Sequence, residues 1–165
     1  MAAADLPAVR AIFNHAVDTT TAIWSEAHRT ADEQREWFEA KRADDWPCLV
    51  AADGDEVLGY AALGPFRPQP GYKATAELSV YVGSAARRRG VGTALVRGLL
   101  TRAPARGLRT VIAAVSGDNP ASLTLHTKLG FREVGRLPGV GEKWGRRLTM
   151  VLLQWEVDGN HAPGP

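Results

Sequence analysis

The chain has 165 residues, the size of one ordinary domain, and 45% of them are hydrophobic, enough to bury a full core. The formal net charge of +2 is too near neutral to indicate a nucleic-acid partner. The single cysteine, Cys48, excludes an internal disulfide and a cysteine-rich metal site, and it favours a cytoplasmic setting. No apolar run approaches the roughly 20 residues of a membrane span, and we expect no signal peptide. We expect one domain over residues 1–157, a flexible tail over 158–165, no metal and no membrane partner.

The first half of the chain predicts two helices, a strand and a hairpin. The amphipathic pattern of residues 5–17 indicates a helix. The stretch TTAIWSE, residues 20–26, predicts a strand. Thr30 and Glu33 form a capping box that begins a second helix. The Asp-Gly-Asp turn at 53–55, between two apolar runs, predicts a hairpin.

In the second half, strands and helices alternate. Residues 74–82 (ATAELSVYV) predict a strand, 90–103 a helix, and 108–115 another strand. Asn119 is a helix N-cap followed by proline, and that helix is expected to end at Gly130. Two further strands close the pattern. The order indicates an α/β (α+β) fold, with a mixed twisted sheet and helices on both faces.

The segment RRRGVG, residues 87–92, lies between a predicted strand and a predicted helix. The first N–H groups of a helix have no partner within it, and glycines let an anion approach them, which is the chemistry of a phosphate site. The spacing is not that of a P-loop, and Leu95 breaks the dinucleotide-binding pattern. Arg87-x-x-Gly90-x-Gly92 does resemble motif A of the GNAT acetyltransferases, in which this turn binds the pyrophosphate of acetyl-CoA. From the residues alone, a glycine-rich turn with solvated arginines is the alternative.

A second stretch, NPASLTLHTKLGF at residues 119–131, is similar to the GNAT segment that follows the splayed fifth strand. Asn119, Ser122 and His126 share one face of the predicted helix. The run FRPQPGYKATAELSVYV, residues 66–82, resembles the phosphinothricin and methionine sulfone/sulfoximine acetyltransferases in particular. The resemblance covers nearly the whole chain. It implies a GNAT fold with strands four and five splayed where CoA enters, and acetyl transfer to the amino group of a small amino-acid-like substrate.

The resemblance also implies roles for individual residues. A catalytic carboxylate is expected on the strand that leads into motif A, and Glu77 has that position. Strand alternation puts Glu77 on the face of Ser79 and Tyr81, where a partly dry cleft would raise its pKa. His126 stands where many members carry a tyrosine that faces the CoA sulfur; it could donate a proton there or be a packed, hydrogen-bonded histidine. The expected acetyl-CoA contacts are Val80, Tyr81, Val82, Arg87, Arg88, Arg89, Gly90, Val91, Gly92, Thr93, Asn119 and Ser122. The expected substrate contacts are Trp24, Phe66, Arg67, Tyr72 and Lys73.

Some positions depart from the branch pattern and leave the acceptor amine open. Arg147 and Thr149 stand where the branch usually has an aromatic residue and an aspartate, and Leu78 stands where a polar residue is common. The alternatives are acetylation of an aminoglycoside or a protein N-terminus, a non-catalytic acyl-CoA-binding module, and a basic nucleic-acid module, which lacks a recognition-helix signature. The resemblance further implies a homodimer with the C-terminal strands near its interface.

Overall fold

The computed structural model describes residues 1–157, which form a six-stranded mixed sheet with helices on both faces. The predicted fold class is thereby confirmed, and the predicted tail lies outside the described residues. The helices are α1 (Leu6–Thr19), α2 (Ala31–Ala43), α3 (Val91–Leu100) and α4 (Pro120–Lys128). The strands are β1 (Cys48–Asp53), β2 (Glu56–Pro65), β3 (Thr75–Val82), β4 (Thr110–Ser116), β5 (Arg132–Lys143) and β6 (Arg146–Glu156). None of the described helices is long and apolar enough to cross a membrane.

The sheet order is β1-β2-β3-β4-β6-β5, and only β3 and β4 run parallel. Their pairing is short: it begins at Thr75 with Thr110 and ends at Glu77 with Ile112. Beyond that point β3 pairs only with β2, and β4 pairs only with β6. A gap therefore opens between the two strands. The predicted splay is confirmed, but the splayed strands are the third and fourth of this chain.

The prediction of a strand at residues 20–26 is wrong. Because that strand does not exist, each later strand has a number one lower than predicted. The segment is an irregular connection between α1 and α2. Its carbonyl groups do not meet a neighbouring strand; those of Thr20 and Ile23 each accept a hydrogen bond of 2.7 Å from the Lys143 ammonium. A side chain from a distant strand thus satisfies backbone groups that a sheet would otherwise have to satisfy.

The two faces of β3 differ as the sequence alternation predicts. Leu78 is buried in the main core, between the sheet and α3, together with Leu95 and Val96 of that helix. Tyr81 points to the other face, where its ring centroid lies 6.0 Å from that of Phe13 in α1. Burying an aliphatic side chain of this size stabilises a fold by about 1.5–3 kcal/mol, so this pattern fixes the orientation of the strand. Glu77 consequently shares the α1 side of the sheet with Tyr81.

The local signals at the element ends are confirmed. The Thr30 hydroxyl accepts from the Glu33 N–H at 3.2 Å, and the Glu33 carboxylate accepts from the Thr30 N–H at 2.8 Å, which completes the capping box of α2. The Asn119 side chain caps α4 by accepting from the Ser122 N–H at 3.1 Å. Gly54, with φ +57°, makes the tight turn between β1 and β2.

Candidate active site

The turn between β3 and α3 presents backbone N–H groups at the open end of the gap. Arg88 and Gly90 both have left-handed backbone conformations, with φ +60° and +81°. The Ala94 N–H donates to the Gly90 carbonyl at 3.0 Å, so the N–H groups of residues 91–93 precede the first acceptor available to them in the helix. Unpaired N–H groups and the positive end of the helix dipole together make a turn of this kind suited to binding an anion.

Gly92 brings this turn close to α4. A Cβ atom at that position would lie 2.7 Å from Cδ1 of Leu125 and 3.6 Å from Cγ2 of Val82. The direction in which a side chain would extend from Gly92 is therefore filled by other residues, so the N–H is the group that this residue can offer to an anion. The three arginines 87–89 are exposed, and Arg89 lies 3.9 Å from the carboxylate of Asp53. Exposed guanidinium groups attract an anion weakly, because water and salt screen them.

A second helix begins at the same edge. Because β3 and β4 are parallel, the helices that follow them, α3 and α4, both begin at the open end of the gap. Asn119 and Ser122 lie in the first turn of α4, where they already bond each other through the cap. The structure thus places the predicted acetyl-CoA contacts of the two motifs on either side of one opening.

His126, in the last turn of α4, is almost fully buried, with 2% of its surface exposed. Its Nδ1 lies 2.8 Å from the carbonyl oxygen of Ser122, which requires a proton on Nδ1, and its ring packs edge-on to Phe131 at 5.0 Å. Among residues 1–157, Nε2 has no hydrogen-bond partner. Burial lowers the pKa of His126, so the ring is held neutral. This geometry is that of a packed, hydrogen-bonded histidine. A neutral ring with its proton on Nδ1 has no proton on Nε2 to donate.

Glu77 is half-buried at the vertex of the gap, in the last residue pair between β3 and β4. Burial raises the pKa of its carboxyl group, and the positive charges of Arg67 and Lys41 partly oppose that shift. The Lys41 ammonium reaches this place from α2 and lies against Gly64, the strand neighbour of Glu77. A carboxylate of raised pKa beside an opening is suited to accept a proton. The sequence pattern gave no sign of Lys41, because its proximity to Glu77 arises only from the packing of α2 on β2.

The connection between β2 and β3 brings three of the predicted substrate residues together. The Arg67 guanidinium lies 4.3 Å from the centroid of the Phe66 ring, and it donates to the Phe66 carbonyl at 2.8 Å. Tyr72 packs edge-on to Phe66 at 5.7 Å. Lys73 is exposed beside them. Arg67 is thus a planar cation held near Glu77 on an aromatic support.

Trp24 lies on the other side of the gap, next to β4. Its ring packs so closely on Gly141 of β5 that a Cβ atom there would overlap it. The ring also borders a cavity of about 210 Å³. The cavity is lined by Ala22, Trp24, Ala114, Val115, Ser116 and Met150. Ala114 is two residues beyond Ile112, the partner of Glu77, so this cavity adjoins the splayed part of β4.

A basic cavity of about 230 Å³ lies beyond the end of β4, and the motifs of the sequence did not indicate it. It is lined by Gly117, Asp118, Arg136, Arg146, Arg147, Leu148 and Thr149. Arg147 and Thr149 are two of the three positions that depart from the branch pattern, and the third is Leu78. Hydrogen bonds from Thr21 and Ser116 lower the pKa of Asp118, which also pairs with Arg146 at 3.3 Å. Over residues 1–157, no three His, Cys, Asp or Glu side chains are placed to hold a metal ion.

The fold and this site define an acetyltransferase of the GNAT type, and comparison with known proteins agrees. Residues 9–131 match the Acetyltransferase (GNAT) family. An L-methionine sulfoximine/L-methionine sulfone acetyltransferase of Pseudomonas paraeruginosa is 44% identical over 156 residues, which cover 94% of this chain and 91% of that protein. The chain therefore belongs to the GNAT acetyltransferase family.

Solved structures give the same result. A ribosomal-protein-alanine N-acetyltransferase from Brucella melitensis has 42% identity and a TM-score of 0.93, covering 94% of this chain and 96% of that chain. A GNAT superfamily phosphinothricin acetyltransferase from Sinorhizobium meliloti, in complex with acetyl-CoA, has 32% identity and a TM-score of 0.94. The match covers 100% of this chain and 90% of that chain.

The neutral state of His126 predicts a pH dependence of stability. Its pKa in the folded protein lies below the ordinary 6.5, so the unfolded chain takes up a proton that the folded protein excludes. The free energy of unfolding should therefore fall as the pH decreases through 6.5 toward the folded pKa. His126→Asn keeps a donor for the Ser122 carbonyl and removes the titration. We expect urea unfolding between about pH 7.5 and about pH 5.5 to show a larger loss in the wild type than in His126→Asn. Equal losses would contradict the assignment.

Proposed function

We propose that the protein transfers the acetyl group of acetyl-CoA to the amino group of a small amino-acid-like substrate, of the phosphinothricin or methionine sulfone/sulfoximine type. The observation that carries this proposal is the position of Glu77. It is a half-buried carboxylate of raised pKa at the point where β3 and β4 diverge. The turn suited to binding an anion lies at the open end of the gap between these strands. The names of the related proteins support the class of acceptor.

Acetyl-CoA fits the open end of the gap. The pyrophosphate takes the N–H groups of residues 88–93, and the three arginines 87–89 add screened positive charge. Beyond Glu77, β3 pairs only with β2, so half of its N–H and C=O groups face the gap. Those groups, over residues 80–82, are available to the amide-containing arm of the cofactor. The first turn of α4, with Asn119 and Ser122, forms the opposite side.

The chemistry needs a base, an oxyanion contact and an exit for the thiolate. Glu77 takes a proton from the substrate ammonium, directly or through one water, and the free amine attacks the thioester carbonyl. The N–H groups of β3 that face the gap stabilise the resulting oxyanion. Collapse of the tetrahedral intermediate breaks the C–S bond and releases CoA thiolate, and the second proton on the attacking nitrogen is lost to solvent as the amide forms. The thiolate takes a proton from solvent. We assign His126 no part in these steps, because its Nε2 is buried without a partner among residues 1–157 and the Ser122 carbonyl holds the ring proton on Nδ1.

Side chains on the two sides of the gap recognise the acceptor. Arg67 binds the carboxylate of an amino acid through its planar fork, and Phe66 and Tyr72 hold it in place. Trp24 closes the pocket from the side of β4, where it borders the cavity of about 210 Å³. Lys73 adds positive charge at the exposed rim.

A protein N-terminus is the second candidate acceptor. The observation that favours it is the similarity to the Brucella structure named a ribosomal-protein-alanine N-acetyltransferase. An assay of thiol release from acetyl-CoA separates these acceptors. The amines to be compared are free amino acids, their sulfone and phosphinate analogues, peptides and aminoglycosides. Binding of acetyl-CoA without turnover on any of them would indicate a non-catalytic acyl-CoA-binding protein.

A negative charge in the first turn of α3 should weaken cofactor binding. Thr93→Glu places a carboxylate where the pyrophosphate is to bind, and an acidic side chain at that position does not destabilise a helix. We expect the Kd of CoA to rise about 10-fold or more by calorimetry, a loss of about 1.4 kcal/mol. Thr93→Gln, which has the shape of the glutamate without its charge, is the control and should lose much less affinity than Thr93→Glu. Unchanged affinity in a folded Thr93→Glu variant would refute the anion site.

Removal of the base should lower the rate and leave cofactor binding intact. Glu77→Gln keeps the shape and loses the proton acceptor, so kcat/KM for the amine should fall by about 10²–10⁴-fold at neutral pH. The loss should shrink as the pH rises, because more of the amine is then already deprotonated. The Kd of acetyl-CoA should barely change.

Glu36→Gln, at an exposed position of α2, is the matched control and should retain full activity. The acid limb of the wild-type pH profile should lie above the usual range of a glutamate, since burial raises the pKa of Glu77. A Glu77→Gln enzyme with the full rate at neutral pH would show that another group, or water alone, accepts the proton.

A homodimer is also part of the proposal. Four of the large hydrophobic side chains that are exposed lie on the edge strand β5 and its turn: Val134, Leu137, Val140 and Trp144. An exposed apolar edge favours pairing with another chain. We expect light scattering at micromolar concentration to give a dimer, and Val140→Asp to give a monomer. Ala105→Asp, at an exposed position away from β5, should leave the dimer intact. A monomeric wild type would contradict this assembly.

A further inference from the structure

Lys143, the last residue of β5, is a buried cation surrounded by carbonyl groups. Only 1% of its surface is exposed. Its Nζ donates to the carbonyl oxygens of Val17, Thr20 and Ile23, at 2.5, 2.7 and 2.7 Å. Three donated bonds require the ammonium form, since a neutral amine has only two hydrogens. The carboxylates of Glu26 and Asp18 favour that charge, although burial lowers the pKa of Lys143.

The position of these carbonyls explains why a cation is suited to them. Val17 lies in the last turn of α1, and Thr20 is its C-cap residue. The last carbonyls of a helix have no partner within it and lie at the negative end of the helix dipole. The Lys143 ammonium donates to the carbonyls of Val17 and Thr20 and also to that of Ile23, three residues further along the chain. It therefore caps α1 and fixes the start of the following connection in a single contact.

The connection between α1 and α2 is attached to the C-terminal strands at further points. The Thr21 hydroxyl donates to the Asp118 carboxylate at 2.6 Å, just after β4. The Trp144 N–H, in the turn between β5 and β6, donates to the Glu26 carboxylate at 3.1 Å. These two bonds are exposed, whereas those of Lys143 are buried or partly buried. Exposed bonds to water-accessible groups contribute little, so Lys143 is the principal attachment.

Trp24 is the residue that this attachment positions. It follows Ile23 directly, its ring rests on Gly141, two residues before Lys143, and it borders the cavity of about 210 Å³ beside β4. The Ile23 carbonyl is the accepting group of Lys143 that lies next to Trp24 in the chain. Lys143 itself does not line the cavity.

We propose that Lys143 is a positioning residue, which holds the connection between α1 and α2 so that Trp24 forms one wall of the acceptor pocket. This inference rests on the proposed function in so far as that cavity receives the acceptor amine. The attachment itself does not depend on the identity of the acceptor, so a structural readout and a kinetic readout can be separated.

The first test is Lys143→Met, which keeps most of the side-chain length and removes the three bonds. Hydrogen exchange measured by mass spectrometry should show amides of residues 18–26 exchanging about 10-fold faster or more, while α3 stays unchanged. The KM of the amine should rise about 10-fold or more, and the KM of acetyl-CoA should change less than about two-fold. Lys128→Met, at an exposed position of α4, is the matched control and should alter none of these quantities.

A second variant displaces the ring and keeps the attachment. In Gly141→Ala the new methyl group would overlap Trp24, so the ring must move while the bonds of Lys143 remain. We expect the same selective rise in the KM of the amine with little change in amide exchange at residues 18–23. If Lys143→Met does not fold, Gly141→Ala decides whether the position of Trp24 controls the acceptor.

The outcomes distinguish the two proposals. Faster exchange without a change in the KM of the amine, or an equal rise in both KM values, would overturn the positioning role while leaving the acetyltransferase proposal intact. Unchanged exchange in Lys143→Met would overturn the attachment. A wild type that turns over no amine would overturn the proposed function, and the exchange result would still report on Lys143.

Discussion

The site depends on the short parallel pairing of β3 and β4. Only three residue pairs join these strands, whereas each has seven pairs with its outer neighbour, β2 or β6. The outer ladders hold the strands straight after they part, so both inner edges carry backbone N–H and C=O groups that no strand satisfies. Such edges are costly unless water or a ligand meets them. The vertex at Glu77, the channel beyond it and the two helices that begin at its mouth all follow from this interruption.

The two substrates of the proposed reaction meet different kinds of surface. The cofactor side consists of backbone: N–H groups of the β3–α3 turn and the free edge of β3, with Gly92 allowing α3 and α4 to approach. The acceptor side consists of side chains such as Trp24 and Arg67, which come from connections between elements. Backbone surfaces change little when the sequence varies, whereas side chains on connections change readily. This difference explains how one fold can keep its acetyl donor and vary its acceptor.

What the sequence could predict depends on whether a feature arises from neighbouring residues or from contacts between distant parts of the chain. Glycine spacing, the cap at Asn119 and the alternation around Glu77 are local, so the sequence could predict the fold class, the glycine turn before α3 and the face on which Glu77 lies. The strand predicted for residues 20–26 failed because its carbonyls are satisfied by Lys143, which no local pattern connects to them. The sequence could not decide between a proton-donating and a packed His126, because its burial depends on contact with Phe131, beyond the end of the helix. The approach of Lys41 to Glu77 likewise exists only once α2 packs on β2.

The bonds of Lys143 also bear on the order in which the chain can fold. They join residues separated by 126, 123 and 120 positions, among the most distant contacts in the molecule. Because synthesis proceeds from the N-terminus, α1 emerges from the ribosome long before the lysine that caps it. Loop closure over such separations is slow compared with helix formation. The wall that Trp24 provides is therefore completed late, after β5 has joined the sheet, so a nascent chain has the turn between β3 and α3 before it has a finished cavity beside Trp24.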